Sequence, residues 1–331
     1  MSSHTFDPIT SSQLHVIAGK GPVGSTTADL LVAAGHRVRV LSRSGGTSTE
    51  QVEPVAVDVS DADDVLRATR GADAIYNCLN PEYHRWATDW PPMANALLDA
   101  AETQEAVLVI MGNLYGYGPV DGEITEDLPL AATGTKGRVR VQMWNDAMAR
   151  HRAGRVRVTE ARASDFYGPR VIEGGYLGER AVPRLLAGRK PQVIGDPSQP
   201  HSWSYIPDVA RTLVTLGTDE RAWGRAWNVP TAPARSMREM VTAMCDIAGV
   251  PEVSVTTMPW PMVRAMGLFV PFMRELKETR YQFVRPFVLD SSAFTATFGQ
   301  RPTHIDDGLA ATVAWWREHL GSTATESPVT A

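Results

Sequence analysis

Gly19, Gly21 and Gly24 have the spacing of a turn that lays bare backbone against a pyrophosphate, and they are the first residues here whose types suggest chemistry. In Leu14-His15-Val16-Ile17-Ala18-Gly19-Lys20-Gly21-Pro22-Val23-Gly24 the apolar run reads as a buried strand and the glycines as its turn into a helix. The first glycine permits the tight turn, the second admits the phosphates and the third lets helix pack on strand. The helix start at Pro22 and Val23 draws negative charge through its unsatisfied amides. A dinucleotide suits this arrangement; the alternative is a purely structural strand-turn-helix.

Three further groups extend the site. After a second strand, His36 to Leu41, come Ser42-Arg43-Ser44, where an acidic residue would instead hold the ribose hydroxyls of NAD. A hydroxyl and a guanidinium suit a 2′-phosphate, which favours NADPH over NADH. The other reading of Arg43 is a solvated strand end. Pro54 to Asp61 reads as a short strand, with Asp58 and Val59 placed to meet an adenine and Asp61 as a helix N-cap. A fourth strand, Ala74 to Asn80, stops at Pro81, so Cys78, Leu79 and Asn80 line the middle of the cofactor by backbone.

The elements that must position these groups alternate. Helices are expected over Ser25–Ala34, closed by Gly35, and over Ala62–Arg70, Trp86–Glu102 and Lys136–His151. Strands are expected over Ala106–Met111 and Val156–Ala161. This rhythm predicts an α/β fold, a Rossmann-type doubly wound parallel sheet with a smaller C-terminal substrate-binding domain. The expected division is a flexible 1–12, a nucleotide domain over 13–169 with returning segments near 205–230, a substrate domain over 170–204 and 231–320, and a flexible 321–331. Within the later segments, His201–Ile206 reads as a strand and Asp208–Leu216 as a helix. Ser236 with Glu239 forms a capping box, Trp260–Leu276 is strongly apolar, and Leu309–His319 closes the fold as an amphipathic helix.

The 331 residues carry a net charge of −5, which gives no basic field for nucleic acid. Two cysteines, Cys78 and Cys245, make neither a disulfide framework nor a metal site. The first dozen residues lack a signal peptide's pattern and no stretch is long and apolar enough to span a membrane. The expected setting is cytoplasmic, with a small-molecule partner, no nucleic acid, no membrane and no metal. The expected assembly is a monomer or homodimer, in which Met143 and Met148 face a partner copy or the sheet.

Taken together, the glycine triplet, Asp58-Val59-Ser60-Asp61, Asn80, Tyr115-Gly116 before acidic residues and Pro129, Arg162-Ala163-Ser164-Asp165-Phe166-Tyr167-Gly168-Pro169, Trp203-Ser204-Tyr205-Ile206-Pro207-Asp208 and Ala226-Trp227-Asn228-Val229 carry a resemblance. The chain resembles, over nearly its whole length, the extended short-chain dehydrogenase/reductase family, which contains sugar-nucleotide epimerases and dehydratases. The resemblance implies that Ala163, Ser164 and Phe166 cradle the nicotinamide carboxamide. It also implies a Ser or Thr and a Tyr-x-x-x-Lys pair. Counting back from Arg162 places Lys136 at the Tyr position and Arg140 at the Lys position; the serine position falls at Met111, beside Gly112 and Asn113. All three usual catalytic side chains are missing from these positions.

Two readings of the substitutes stay open. In one, Arg140 keeps the ribose and phosphate contacts while Lys136 reaches the substrate; in the other, both lie on a solvated basic helix start neutralised by Glu126 and Asp127. Asn113 and Tyr115 either hydrogen-bond a carbonyl or shape their loop. Trp86, Met111, Tyr115 and Trp203 are expected to meet substrate. Phe269 and Phe272 belong to a wider aromatic set read as lining the pocket, at least half of it assigned to the core instead. The missing triad is similar to that of atypical angucyclinone ketoreductases of antibiotic pathways. This implies an NADPH-dependent reduction of a polycyclic aromatic ketone, driven mainly by orientation. A sugar-nucleotide epimerase or dehydratase, and a non-catalytic NADP sensor, are the alternatives.

Overall fold

A computed structural model describes residues 12–173 and 175–326 of the chain. In chain order come β1 (Leu14–Ala18), α1 (Pro22–Ala33), β2 (Arg37–Ser42), β3 (Val52–Ala56), α2 (Ala62–Ala68), β4 (Ala74–Asn77), α3 (Trp86–Thr103) and β5 (Val107–Asn113). They are followed by β6 (Glu123–Ile124), α4 (Thr135–Arg152), β7 (Arg157–Ala163), β8 (Asp165–Tyr167), α5 (Val182–Leu186), β9 (Gln192–Ile194), β10 (Trp203–Tyr205) and α6 (Ile206–Thr218). The last elements are β11 (Ala226–Asn228), α7 (Met237–Ala248), β12 (Thr256–Met258), α8 (Trp260–Met266), α9 (Pro271–Thr279), β13 (Val288–Leu289), α10 (Ser292–Phe298) and α11 (Ile305–Glu326).

The chain forms two units. The first takes the chain up to Asn113 with Arg138–Arg162 and Val209–Trp227. Its sheet has the order β11-β7-β5-β4-β1-β2-β3. Strand β1, buried at every position, pairs in parallel with β2 on one side and β4 on the other. The chain therefore winds outward one way through β2 and β3, then reverses through β4 and β5. Ligands of open α/β sheets lie at such a reversal, outside the carboxyl ends of the strands. Val16, Ala18, Leu41, Ile75, Leu97, Leu108 and Val158 fill the core beneath.

The second unit comprises Leu114–Gly137, Ala163–Asp208 and the chain from Asn228 onward. Short parallel pairs, β8 with β10, β9 with β12 and β6 with β13, tie its separated segments together. Helix α7 starts at the expected capping box, where Ser236 accepts from the Glu239 amide and the Glu239 carboxylate accepts from the Ser236 amide. Its apolar face packs with that of α11 through Met240, Met244, Leu309 and Val313. The 114–137 stretch, expected in the nucleotide domain, belongs here because Leu114, Tyr117 and Ile124 share a core with Phe287 and Leu289.

Other boundaries also differ from expectation. The strand predicted over Pro54–Asp61 starts at Val52 and ends at Ala56. Asp58 ends it, since its carboxylate accepts from the backbone and hydroxyl of Ser60 and turns the chain. At the far end, α11 continues through Glu326, beyond the expected start of a flexible tail at 321. The expectation for 1–12 lies almost wholly outside the described residues.

Candidate functional site

In the first unit the glycine turn has the shape its spacing predicts. Gly19 adopts a φ of +109°, and a Cβ there would stand 2.6 Å from the carbonyl oxygen of Cys78 on the neighbouring strand end. A Cβ on Gly24 would overlap the Gly19 carbonyl. Gly21 is the opposite case, with no atom within 4 Å of its missing Cβ. Its open side is the cradle a pyrophosphate needs, so the residues present fit a dinucleotide. Pro22 occupies the first turn of α1, where its missing N–H costs nothing. The Gly19 amide donates to the Leu41 carbonyl, and the Cys78 amide to the Ala18 carbonyl, each at 2.9 Å, so the three strand ends are locked side by side.

The end of β2 is met by a residue the sequence reading did not single out. Lys20, between the first two glycines, places its ammonium 2.5 Å from the Ser44 hydroxyl and 3.4 Å from the Gly45 carbonyl. Ser42 is buried and its hydroxyl donates to the same carbonyl, so it shapes the turn while Ser44 and Arg43 face solvent. Asp58 stands close enough for the Arg43 charge to act on it. Hydrogen bonds from Ser60, and then that charge, hold its carboxyl below the ordinary range. Val59 is a core side chain, Cys78 and Leu79 are half-buried and Asn80 is exposed.

Arg140 lies inside the first unit. Its guanidinium stacks 4.8 Å above the ring centroid of Trp86 and 4.3 Å from that of Trp90, and donates to the Met111 carbonyl at 3.2 Å. Trp86 in turn donates to the Pro81 carbonyl. Trp86 and Met111 are thus part of the packing that holds this arginine. Next to Met111, a Cβ at Gly112 would collide with the Glu160 carboxylate, which is fixed by Arg162 at 2.7 Å. Asn113 follows as the half-buried end of β5.

In the second unit Lys136 is 1 % exposed. Its ammonium is paired with the Glu275 carboxylate and lies 3.6 Å from that of Glu278, both on α9. Glu278 also accepts from the backbone amides of Lys136 at 2.6 Å and Gly137 at 3.3 Å, capping the start of α4. The solvated-helix reading is therefore overturned: both cations are buried. Glu126, expected to neutralise them, accepts from the Asn228 amide.

Tyr115 is half-buried beside Gly137, where a Cβ would stand 2.7 Å from the Tyr115 carbonyl oxygen. It also acts on Tyr176, whose phenol donates to the Ile194 carbonyl; burial, then Asp165, then Tyr115 push that phenol well above its ordinary range. Asp165 holds His201 at 2.7 Å. Ala163 and Ser164 are buried and Phe166 is half-buried; the Ser164 amide donates to Ser204 while its hydroxyl has no hydrogen-bond partner among the described residues. Trp203 is a core ring that donates to the Arg235 carbonyl. Phe269 and Phe272, expected in an aromatic pocket, are exposed. Among the described residues no group of three or more His, Cys, Asp or Glu is placed to hold a metal, and no helix is long and apolar enough to cross a membrane.

Comparison with known proteins agrees with this architecture. The chain is 29% identical over 230 residues to a dTDP-glucose 4,6-dehydratase of Streptomyces griseus, a match covering 67% of this chain and 62% of that protein. It is 24% identical over 332 residues to a UDP-glucose 4-epimerase of Mycolicibacterium smegmatis, covering 91% of this chain and 97% of the other. Among solved structures, a Thermotoga maritima UDP-glucose 4-epimerase with UDP-glucose superposes with a TM-score of 0.77 at 18% identity, over 93% of this chain and 99% of that one. A Streptomyces venezuelae dTDP-glucose 4,6-dehydratase double mutant with NAD bound gives 0.76 at 22%, over 94% and 98%. The model of the NAD dependent epimerase/dehydratase family matches residues 15–229. With its nucleotide turn at the reversal point of a parallel sheet, the chain belongs to the NAD dependent epimerase/dehydratase family, whose members are nicotinamide-dependent enzymes of the oxidoreductase type.

Proposed function

We propose that the protein is an NADPH-dependent ketoreductase that reduces a carbonyl of a polycyclic aromatic polyketide, angucyclinone-like in class, without a Ser-Tyr-Lys triad. The observation that carries this reading is Lys136. Where the family resemblance expects a phenol, the chain holds an ammonium set between two carboxylates. Such a group donates a hydrogen bond and is not a base. Epimerisation and dehydration of a sugar begin by taking a proton from an alcohol, whereas reduction of a ketone needs a donor, or only alignment.

Bound NADPH would supply the hydride. Gly19, Gly21 and Gly24 would admit its pyrophosphate, and Lys20, Arg43 and Ser44 would meet its 2′-phosphate. Asn113 and Tyr115 would orient the carbonyl, while a phenol on the substrate itself, hydrogen-bonded to that carbonyl, would stabilise the developing alkoxide.

The names of the relatives favour a second reading, a sugar-nucleotide epimerase or dehydratase using NAD. One experiment separates the two. Purified protein is mixed with NADPH or NADH and a panel of polycyclic aromatic ketones and, in parallel, with NAD+ and dTDP-glucose or UDP-glucose. Loss of reduced-nicotinamide absorbance with NADPH and an aromatic ketone supports the reductase. Conversion of a sugar nucleotide without net cofactor consumption overturns it. Tight NADPH binding with no turnover of any compound points to a sensor.

A further inference from the structure

Between α8 and α9 the chain turns through Leu268, Phe269 and Val270, which are 79 %, 87 % and 40 % exposed. Met262 and Phe272 extend this apolar tip on the flanking helices. The hairpin beneath is firmly built. Val263, Met273 and Leu276 form its buried face, packed on Ile194, Met258, Trp260 and Met266. Gly267 lets the helices approach closely, since a Cβ there would stand 3.2 Å from the backbone of Arg274. Adjacent Leu and Phe held out in water on an anchored support form a patch that a soluble surface ordinarily avoids.

The charges of the hairpin differ in exposure. Arg264 and Arg274 flank the tip and Lys277 follows on α9, all exposed, while the exposed Arg280 closes the base of the hairpin, its guanidinium 4.6 Å from the ring centroid of Trp260. The two acids of α9, Glu275 and Glu278, are half-buried and engaged by Lys136, and Glu275 also lies 3.8 Å from the Arg274 guanidinium. A chain of net charge −5 thus presents here four exposed cations on the hairpin that carries the apolar tip.

We propose that this hairpin docks on an anionic lipid surface, the apolar tip entering the interface while these cations meet the headgroups. Basic residues around Phe and Leu are the composition of peripheral lipid-binding segments. A second copy of the chain is a poorer occupant, because a two-fold contact would set the same four cations against each other. The expectation of no membrane partner rested on the absence of a span, which leaves peripheral docking open. The proposal does not depend on the cofactor or the ketone.

The test is co-sedimentation of the intact protein with vesicles of phosphatidylcholine alone and of equal parts phosphatidylcholine and phosphatidylglycerol, at low and high salt. Two paired variants accompany it, Leu268→Ser with Phe269→Ser and Arg274→Glu with Lys277→Glu, with thermal melting to verify folding. The expected result is salt-sensitive binding to the anionic vesicles only, weakened at least about tenfold by either pair. No binding to anionic vesicles, or binding that neither pair weakens, overturns the proposal. A dimer that the Leu268/Phe269 pair dissociates, with no vesicle binding, overturns it in favour of a second copy.

Discussion

Lys136 and Glu275 lie 139 positions apart and meet as an ion pair in which the lysine side chain is 1 % exposed and the glutamate about a quarter exposed. Helix α9 is thereby fastened to the start of α4, and Glu278 adds a backbone cap to the same junction. The structural role of the pair can be measured separately from any effect on turnover.

Replacing Lys136 by Met leaves two carboxylates facing each other across the lost charge. Because both glutamates keep some water, the expected cost is about 1–3 kcal/mol, below that of breaking a fully buried pair. Urea unfolding of Lys136→Met, Glu275→Gln and the double variant measures it, and the double variant should recover part of the loss. If alignment carries the reaction, turnover of Lys136→Met stays within about tenfold of the parent. A fall beyond about a thousandfold, with folding and NADPH affinity intact, would instead make the ammonium an obligatory acid.

The Lys20–Ser44 contact predicts the cofactor preference. If NADPH is the cofactor, as proposed, Lys20→Ala and Arg43→Ala should each weaken its binding about tenfold or more, since each would remove a charge-assisted contact to the 2′-phosphate of about 1.5–3 kcal/mol. NADH binding should change little, so the ratio of the two dissociation constants is the quantity to follow. Equal weakening of both cofactors would place these cations on the shared pyrophosphate.

The parts legible in the sequence were those set by neighbours along the chain. Strand β1, its glycine turn, the Asp61 N-cap and the Ser236 capping box each depend on residues within a few positions. The remainder depended on contacts between distant residues. Lys20 gave no local signal, because the hydroxyl it meets is 24 positions away. Counting back from Arg162 singled out Arg140, but its seat on Trp86 and Trp90 left no mark in the sequence, because ring stacking across a fold has no period along the chain. Strand β6 is two residues long and pairs with Val288 and Leu289 far downstream, so it lacked both length and alternation. Phe269 was assigned to a pocket on residue type alone, and type does not tell an inward aromatic from an exposed one.

The glycines of the nucleotide turn separate folding from binding. Gly24→Ala should destabilise the unit, because its Cβ would overlap the rigid Gly19 carbonyl. Gly21→Ala meets no protein atom, so it should fold normally and lose cofactor affinity, by about tenfold or more, where the methyl obstructs a phosphate. Thermal melting with and without NADPH distinguishes them. A Gly21→Ala protein that keeps full cofactor stabilisation would show that the open side of the turn is not the binding face.

The buried histidine of β1 predicts how stability depends on pH. His15 is fully buried, its Nδ1 lies 2.9 Å from the Tyr76 hydroxyl, and its ring meets that of His36 edge-on at 4.4 Å. Burial, reinforced by the His36 charge, pushes its pKa down to about 3. An unfolded histidine titrates near 6.5, so between those values the unfolded chain binds more protons and stability must fall as pH falls. The slope from this residue approaches about 1.4 kcal/mol per pH unit well below pH 6.5, and the contribution is absent above neutrality. His15→Asn removes the titrating group, so the variant should be less stable than the parent near neutral pH yet lose less on acidification to about pH 5. Urea unfolding at the two pH values decides the matter: equal losses in parent and variant would assign the acid sensitivity to other groups.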